Sequence, residues 1–308
     1  MLSVIIPAYN EEKCIKLAYT AVASLLEKNG IEGEFIFVDD GSKDRTYEEI
    51  CALSAEFDHV TGLHFSRNFG KEAAISAGLQ AAAGDCAVVM DCDLQHPPET
   101  VIEMYRQWEA GYEVVEGVKR SRGTEKKAYT AAANIFYSAI SRVAGFDMEN
   151  ASDFKLLDRK VIDVLNKMPE HGFFRALSFW VGYNKTSVEY DVAARADGES
   201  KWSTLSLVKY ALTNVTSFTT APMQLVTVLG IIMLVVSVVF GVWALIDKLV
   251  GRALEGMTTV IIITVFIGSI IMISLGIIGY YISRIYEEIK GRPKYIISAS
   301  VVSRKEEK

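Results

Sequence analysis

Two carboxylates spaced two residues apart, Asp91 and Asp93, follow the apolar run Ala87 to Met90 in the segment DCDLQHPPE. Side chains alternate along an extended strand, so residues two apart face the same side. Read as the end of a strand, the pair offers two hard oxygen ligands, the donor type that suits Mg2+ or Mn2+. Such an ion keeps waters and binds phosphate oxygens, so the chemistry open to it is neutralisation of charge on a phosphate-bearing ligand. A second acidic pair, Asp39-Asp40, precedes Gly41-Ser42 after another apolar run. There a carboxylate can accept from an N–H group or serve as a turn and helix cap. Pro7-Ala8-Tyr9-Asn10-Glu11 follows a third run and Ser66-Arg67-Asn68-Phe69-Gly70-Lys71 a fourth. No G-x-G-x-x-G follows the first run, and the P-loop pattern is absent, so glycine amides do not supply a phosphate cradle.

These residues need elements to hold them. Apolar runs at 2–6, 34–38, 60–65 and 87–90 alternate with helical patterns at 13–28, after Asp44, and from Lys71 to Ala83. Strands alternating with helices predict an α/β domain: a mostly parallel sheet with helices on both faces and ligands at the carboxyl ends of the strands. Four polar strand ends then converge on one crevice. His96 precedes Pro97-Pro98-Glu99, a helix start, and is not read as a catalytic base; His59, His64 and His171 lack ligand spacing and read as ordinary residues.

Half of the 308 residues are hydrophobic, and 32 Lys+Arg against 38 Asp+Glu give a net charge of -6. That composition excludes a disordered or coiled-coil chain, and the acidic balance offers no footprint for nucleic acid. Cys14, Cys51, Cys86 and Cys92 show no CxxC spacing, so a reducing, cytosolic face is expected. Residues 222–246 and 258–281 carry no charge. Each exceeds the roughly 20 residues that cross a bilayer core, which predicts a hairpin of two membrane spans. Arg284, Lys290, Arg292, Lys294, Arg304, Lys305 and Lys308 lie beyond the second span, against Lys248 and Arg252 between the two. The excess of cations places the soluble domain and the tail in the cytoplasm. The start, LSVIIPAYN, has no basic leader or small-residue cleavage site, so no signal peptide is expected. Residues 203–220 carry apolar side chains at helical spacing and read as a helix on the membrane surface, or as one docked on the soluble domain. The expected divisions are a catalytic domain at 1–202, an interfacial helix at 203–221, a transmembrane hairpin at 222–281 and a cytoplasmic tail at 282–308.

Val4-Ile5-Ile6-Pro7-Ala8-Tyr9-Asn10-Glu11, Val38-Asp39-Asp40-Gly41-Ser42 and Asp91-Cys92-Asp93-Leu94-Gln95-His96-Pro97-Pro98-Glu99 together resemble the family-2 inverting glycosyltransferases with the GT-A fold. Within that group the chain looks like the polyprenyl-phosphate glycosyltransferases, both dolichyl-phosphate mannose synthases and bacterial undecaprenyl-phosphate glucosyl- or aminoarabinosyl-transferases. The 66–71 segment, Asp153-Phe154-Lys155-Leu156-Leu157-Asp158-Arg159, Gly198-Glu199-Ser200-Lys201-Trp202-Ser203 and the paired spans match the same group. The Q-x-x-R-W motif of processive synthases is absent, which favours transfer of a single sugar.

The resemblance implies a Rossmann-like GT-A domain followed by two transmembrane helices in the cytoplasmic (inner) membrane, with the catalytic domain in the cytoplasm. It implies transfer of a hexose, glucose from UDP-glucose in the first place, to a polyprenyl phosphate; GDP-mannose and UDP-aminoarabinose are the alternative donors. By resemblance, Asp91, Asp93 and Gln95 hold Mg2+ or Mn2+, while Pro7, Tyr9, Asn10, Glu11, Asp40, Arg67, Lys71 and Asp91 bind the nucleotide sugar. Lys71 reads equally as a solvated lysine on the first turn of a helix. Asp93 and Asp153 are the catalytic positions, Asp153 orienting the acceptor, contacting the sugar or acting as base. Arg122, Lys127 and Lys201 are the expected holders of the acceptor phosphate. A phosphate monoester, with a second pKa near roughly 6, is largely a dianion at neutral pH and needs no strong base. Tetramers occur in such a family. The rival readings are transfer to another lipid, which would need a base, and a catalytically silent membrane adaptor.

Overall fold

A computed structural model of the chain describes residues 1–120, 152–168, 174–191, 221–250 and 256–303. Arg122, Lys127, Lys201 and the helix expected at 203–221, apart from Ala221, lie outside the described residues. The chain forms two compact units, Met1–Ala211 with Pro293–Lys308, and Leu212–Arg292.

The first unit is built on strands β1 (Leu2–Ala8), β2 (Gly33–Asp39), β3 (Val60–Phe65), β4 (Cys86–Val89), β5 (Val114–Lys119), β6 (Lys155–Asp158), β7 (Lys185–Tyr190) and β8 (Ile297–Val302). They make one sheet in the order β7-β5-β6-β4-β1-β2-β3-β8. Its centre, β4-β1-β2-β3, is parallel, as the alternating runs predict. The helices are α1 (Ile15–Lys28), α2 (Thr46–Glu56), α3 (Lys71–Ala81), α4 (Pro98–Glu109), α5 (Arg159–Lys167) and α6 (Phe174–Trp180).

Both faces of the sheet are covered. Leu2, Val4 and Ile6 of β1, Phe35 and Phe37 of β2, and Cys86 and Val88 of β4 pack in a core with α1, α2 and α4. Ile5, Ile36, Val38, Ala87 and Val89 between them point the other way, into a core with α3 and α5. The period-2 alternation thus buries apolar side chains on both sides, which is why these strands read as continuous apolar runs. Helix α3 lies close on β1, because a Cβ at Gly78 would overlap the Ile5 side chain. The chain leaves β1 toward β2 and β3, then returns to the far side of β1 for β4. The crevice at such a switch in direction, at the carboxyl ends of β1 and β4, is where ligands bind in open α/β sheets.

Two strands depart from the sequence expectation. The segment 155–158 forms β6, antiparallel to both β4 and β5. Beyond residue 281 the segment 282–290, which reads as a helical continuation of the second span, is helix to Ile289, and the unexpected element is β8, which pairs antiparallel with β3. Tyr295 stacks on Phe65 with centroids 5.0 Å apart, and the Ser66 amide donates to the Ile296 carbonyl at 2.9 Å. β8 covers the edge of β3, which would otherwise present unpaired backbone groups.

The second unit holds α7 (Ala221–Leu249) and α8 (Met257–Ile289). Among the described residues, one stretch, Phe266–Ser283 in α8, is long and apolar enough to cross a membrane, with a mean hydropathy of 1.9.

Candidate active site

The loops after β1 and β2 are laced together. Asn10 sits in the left-handed region at φ 55; its amide donates to Ser42 Oγ at 2.8 Å and its Oδ1 accepts from the Lys43 amide at 3.0 Å. The Glu11 amide donates to Thr46 Oγ1 at 2.9 Å. Tyr9 is exposed at the lip of β1. The first loop, read as a wall for base and ribose, is therefore fixed by the second.

Asp39 is fully buried: Oδ1 accepts from the Ser42 amide at 2.9 Å and Oδ2 lies 2.6 Å from His64 Nδ1. His64 also stacks on Tyr47, with centroids 4.7 Å apart. Asp40 points to the next loop, where it accepts from the Phe69 amide at 2.6 Å and the Gly70 amide at 2.9 Å. Burial raises its carboxyl above the usual range, against the pull of those two amides. Of the roles open to Asp40, the structure displays a structural one: its oxygens clamp the β3–α3 loop, which passes within reach of the buried strand end. Gly41, at φ 66, makes this approach possible, since a Cβ there would overlap the Arg67 backbone. Arg67 is folded onto its own loop, its guanidinium 3.9 Å from the Phe69 ring centroid.

The clamped loop ends at Gly70 and places Lys71 at the start of α3. Lys71 is no solvated surface lysine. Its Nζ lies 2.6 Å from Asp91 Oδ1 and 3.1 Å from Asp153 Oδ2. Burial alone would lower this ammonium, but Asp91 and Asp153 together hold it above the usual lysine value. Asp153 is bidentate with Arg175: Nε to Oδ1 at 2.6 Å and a terminal nitrogen to Oδ2 at 2.8 Å. Burial would raise the Asp153 carboxyl, yet Lys71 and Arg175 keep it well below the usual carboxylate range. The same competition, burial against Lys71, holds Asp91 low. One continuous chain of ion pairs, Asp91–Lys71–Asp153–Arg175, therefore crosses the crevice.

Sheet register explains how residues 62 apart in sequence meet. β4 and β6 run antiparallel with Val89 opposite Lys155, so Asp91, two past Val89, faces Asp153, two before Lys155. The expectation that Asp91 and Asp93 end a strand is corrected: β4 stops at Val89 and the pair lies in a turn. The strand cannot continue because His96 folds back, its Nδ1 accepting from the Asp91 amide at 3.1 Å. Burial lowers the His96 imidazole, despite nearby Asp91, and its ring stacks on Phe154 at 4.4 Å. Cys92 is buried in the core while Asp91 and Asp93 stay half-exposed, so both carboxylates still face outward. Asp93 Oδ1 accepts from the Gln95 amide at 3.0 Å.

Among the described residues no group of three or more His, Cys, Asp or Glu is arranged to hold a metal ion. Two outward carboxylates are the donor set of Mg2+ or Mn2+ that completes its shell with waters and phosphate oxygens, not of a closed protein cage. The residues present fit such an ion.

Sequence reasoning missed Arg175, Glu72, Glu116 and Lys155. The last two had a signal: each is the one charge in an apolar run, VVEGV and FKLL, and the signs are opposite. Burial pushes the Glu72 carboxyl up to about 7, with Asp153 adding to it; its Oε2 accepts from the Phe174 amide at 2.8 Å. A carboxyl raised in the folded state contributes stability below its ordinary value near 4.3, and that contribution is lost as pH rises to about 7. Glu72→Gln keeps an acceptor for Phe174 and removes the buried charge. Its thermal midpoint is expected to exceed the wild-type value by a margin that grows from pH 5 to pH 8, reaching about 2–6 °C. Melting curves at four pH values check this; a margin independent of pH would show that Glu72 is not the buried acid.

Residues 3–166 match the family described as glycosyl transferase family 2. A prophage-derived bactoprenol glucosyl transferase of Shigella flexneri is 37% identical over 302 residues, covering 97% of this chain and 98% of that protein. A prophage bactoprenol glucosyl transferase homologue of Escherichia coli is 36% identical over 299 residues, covering 96% and 98%. The fold is also that of glucosyl-3-phosphoglycerate synthase from Mycobacterium tuberculosis, solved with Mn2+, uridine diphosphate and phosphoglyceric acid. That structure has a TM-score of 0.52 at 20% identity, covering 71% of this chain and 76% of that one. With a GT-A-like domain, the motifs at its strand ends and relatives matched over nearly the whole chain, the protein belongs to glycosyl transferase family 2.

Proposed function

We propose that the protein transfers glucose from UDP-glucose to a polyprenyl phosphate at the cytoplasmic face of a membrane, giving a polyprenyl-monophosphate sugar with inverted configuration. The observation that carries this reading is the ion-pair chain Asp91–Lys71–Asp153–Arg175. It joins Asp91, one of the two carboxylates suited to a cation on the donor diphosphate, to Asp153, whose carboxyl Lys71 and Arg175 hold well below the usual range and so make a weak base. A weak base beside the acceptor favours a nucleophile that arrives already ionised, which suits a phosphate dianion better than a lipid hydroxyl. Relatives named for transfer of glucose to bactoprenol, matched over nearly the full length, support the same acceptor class.

In this reading Asp91 and Asp93, with Gln95, hold Mg2+ or Mn2+, which when bound neutralises the leaving diphosphate. Lys71 releases part of its hold on Asp91 to the donor and keeps Asp153 in place. Asp153 orients the sugar or acceptor, and its paired cations prevent it from taking a proton. Pro7, Tyr9, Asn10 and Glu11 line the nucleoside, and Arg122, Lys127 and Lys201 hold the acceptor phosphate. Two apolar helices, α7 and α8, anchor the domain as a two-span hairpin, with the catalytic domain at 1–202 on the cytoplasmic side. The anchor brings a water-soluble donor and a lipid acceptor to one surface, which gains rate by proximity.

The test is transfer of labelled sugar from UDP-glucose, UDP-aminoarabinose and GDP-mannose to undecaprenyl phosphate in detergent, with diacylglycerol as the competing acceptor. A lipid-linked glucose released by mild acid is expected from UDP-glucose and undecaprenyl phosphate alone. Product on diacylglycerol, or none with any donor, overturns the reading.

A further inference from the structure

Lys155 lies in β6 with no exposure to solvent, directly opposite Glu116 of β5. A buried ion pair is seldom retained for stability, since apolar side chains of the same volume serve equally well or better. What the pair holds in place is therefore informative. Lys155 Nζ donates to Ser178 Oγ at 2.7 Å and to the Arg175 carbonyl at 3.2 Å, and lies 3.2 Å from Glu116 Oε1 and 4.1 Å over the Phe179 ring. Arg175, Ser178 and Phe179 all belong to α6. Glu116 Oε1 also accepts from the Ser152 amide at 2.9 Å. The pair thus reaches Asp153 from two directions. One is the backbone immediately before it; the other is the helical turn that carries Arg175, whose guanidinium is bidentate on the Asp153 carboxylate.

Taking Asp153 as the reaction centre proposed above, we infer that Lys155, anchored by Glu116, is a positioning residue for sugar transfer: it fixes Ser152 and Arg175 so that the Asp153 carboxylate keeps one orientation. Lys155 touches neither substrate and acts only through these neighbours. Burial brings its ammonium down to about 8, against the pull of Glu116, so it remains charged at neutral pH. Removing the charge while keeping the chain length, as in Lys155→Met, leaves the α6 turn without its tether and Glu116 without its partner.

The experiment uses the full-length protein in detergent with Lys155→Met, Arg175→Lys and the double variant. Lys155→Met is expected to lower kcat about 30-fold with the KM for UDP-glucose within threefold of wild type. Because the two residues act in series, the double variant is expected to be within threefold of the worse single variant. Hydrogen exchange supplies a readout independent of the reaction: the amides of residues 152–154 are expected to exchange at least tenfold faster in Lys155→Met, with β1 to β3 unchanged. A merely structural Lys155 would instead loosen the whole sheet and leave kcat of the folded fraction intact, and that result overturns the inference. Multiplying effects in the double variant overturn it as well. If Lys155→Met does not fold, Ser178→Ala removes one of its hydrogen bonds and is expected to lower kcat about fivefold, again without a change in KM; an unchanged kcat counts against the inference. Should the wild type transfer no sugar, the exchange result still decides the positioning claim, while the function proposed above fails separately.

Discussion

The Asp93→Ala enzyme is expected to transfer sugar about 10³-fold more slowly than wild type while folding normally, a loss of about 4 kcal/mol of transition-state stabilisation. Asp93 sits half-exposed in the turn after β4, where its Oδ1 accepts from the Gln95 amide. Its removal leaves Cys92 packed in the core and the Asp91–Lys71 contact in place. In the proposed reading, what goes is one of two oxygen ligands for Mg2+ or Mn2+, and with it the stabilisation of the departing diphosphate. EDTA should inhibit the wild type to a similar degree, and Mn2+ should restore it. In Asp93→Ala the same ion should restore little at any concentration. Steady-state rates across a Mn2+ titration, with a melting curve for each protein, check both parts. A variant within tenfold of wild type would remove Asp93 from the chemistry.

Asp153→Asn is the second large effect. The substitution keeps shape but withdraws a charge from Lys71 and Arg175, whose side chains are 39% and 28% exposed against 8% for Asp153. Two cations then face one another across a neutral amide, and the bidentate grip of Arg175 on a carboxylate is lost. We expect kcat to fall about 10³-fold with donor affinity changed less than threefold, because the donor's carboxylates at Asp91 and Asp93 are untouched. The pH profile separates an orienting role from a basic one. Lys71 and Arg175 hold the Asp153 carboxyl far below its ordinary value, so it has no titration left to contribute near neutrality. The acidic limb of kcat/KM should instead follow the acceptor phosphate, near roughly pH 6. That limb should persist in Asp153→Asn. Its disappearance in the variant would return Asp153 to the role of base.

Much of this protein was readable in the chain itself. Continuous apolar runs gave the parallel centre of the sheet, because strands buried on both faces carry mostly apolar side chains on each. The 60–65 strand was placed to the residue. Asp91 and Asp93 stand out in the sequence by type and spacing and Asp153 by resemblance alone, and the structure brings Asp91 and Asp153 onto one lysine. Local rules also misled at one point. Asp91 and Asp93 follow a strand but do not extend it, and the shared outward direction of their side chains comes from a turn held by His96.

Only the tertiary structure decided who meets whom. The antiparallel insertion of β6 between β4 and β5 sets Asp153 across from Asp91, and a register one residue different would turn its side chain to the other face. Sequence carries no local mark of that register, since it arises from pairing between segments about 65 residues apart. For the same reason Lys71 could be read as a surface lysine until α3 was placed between the two aspartates. That Asp40 clamps the β3–α3 loop is likewise decided by packing and not by its own segment. The return of β8 to the edge of β3, beyond two apolar helices, is the extreme case. Residue types and spacing determined which groups are able to do chemistry here; long-range pairing and packing decided which of them act together.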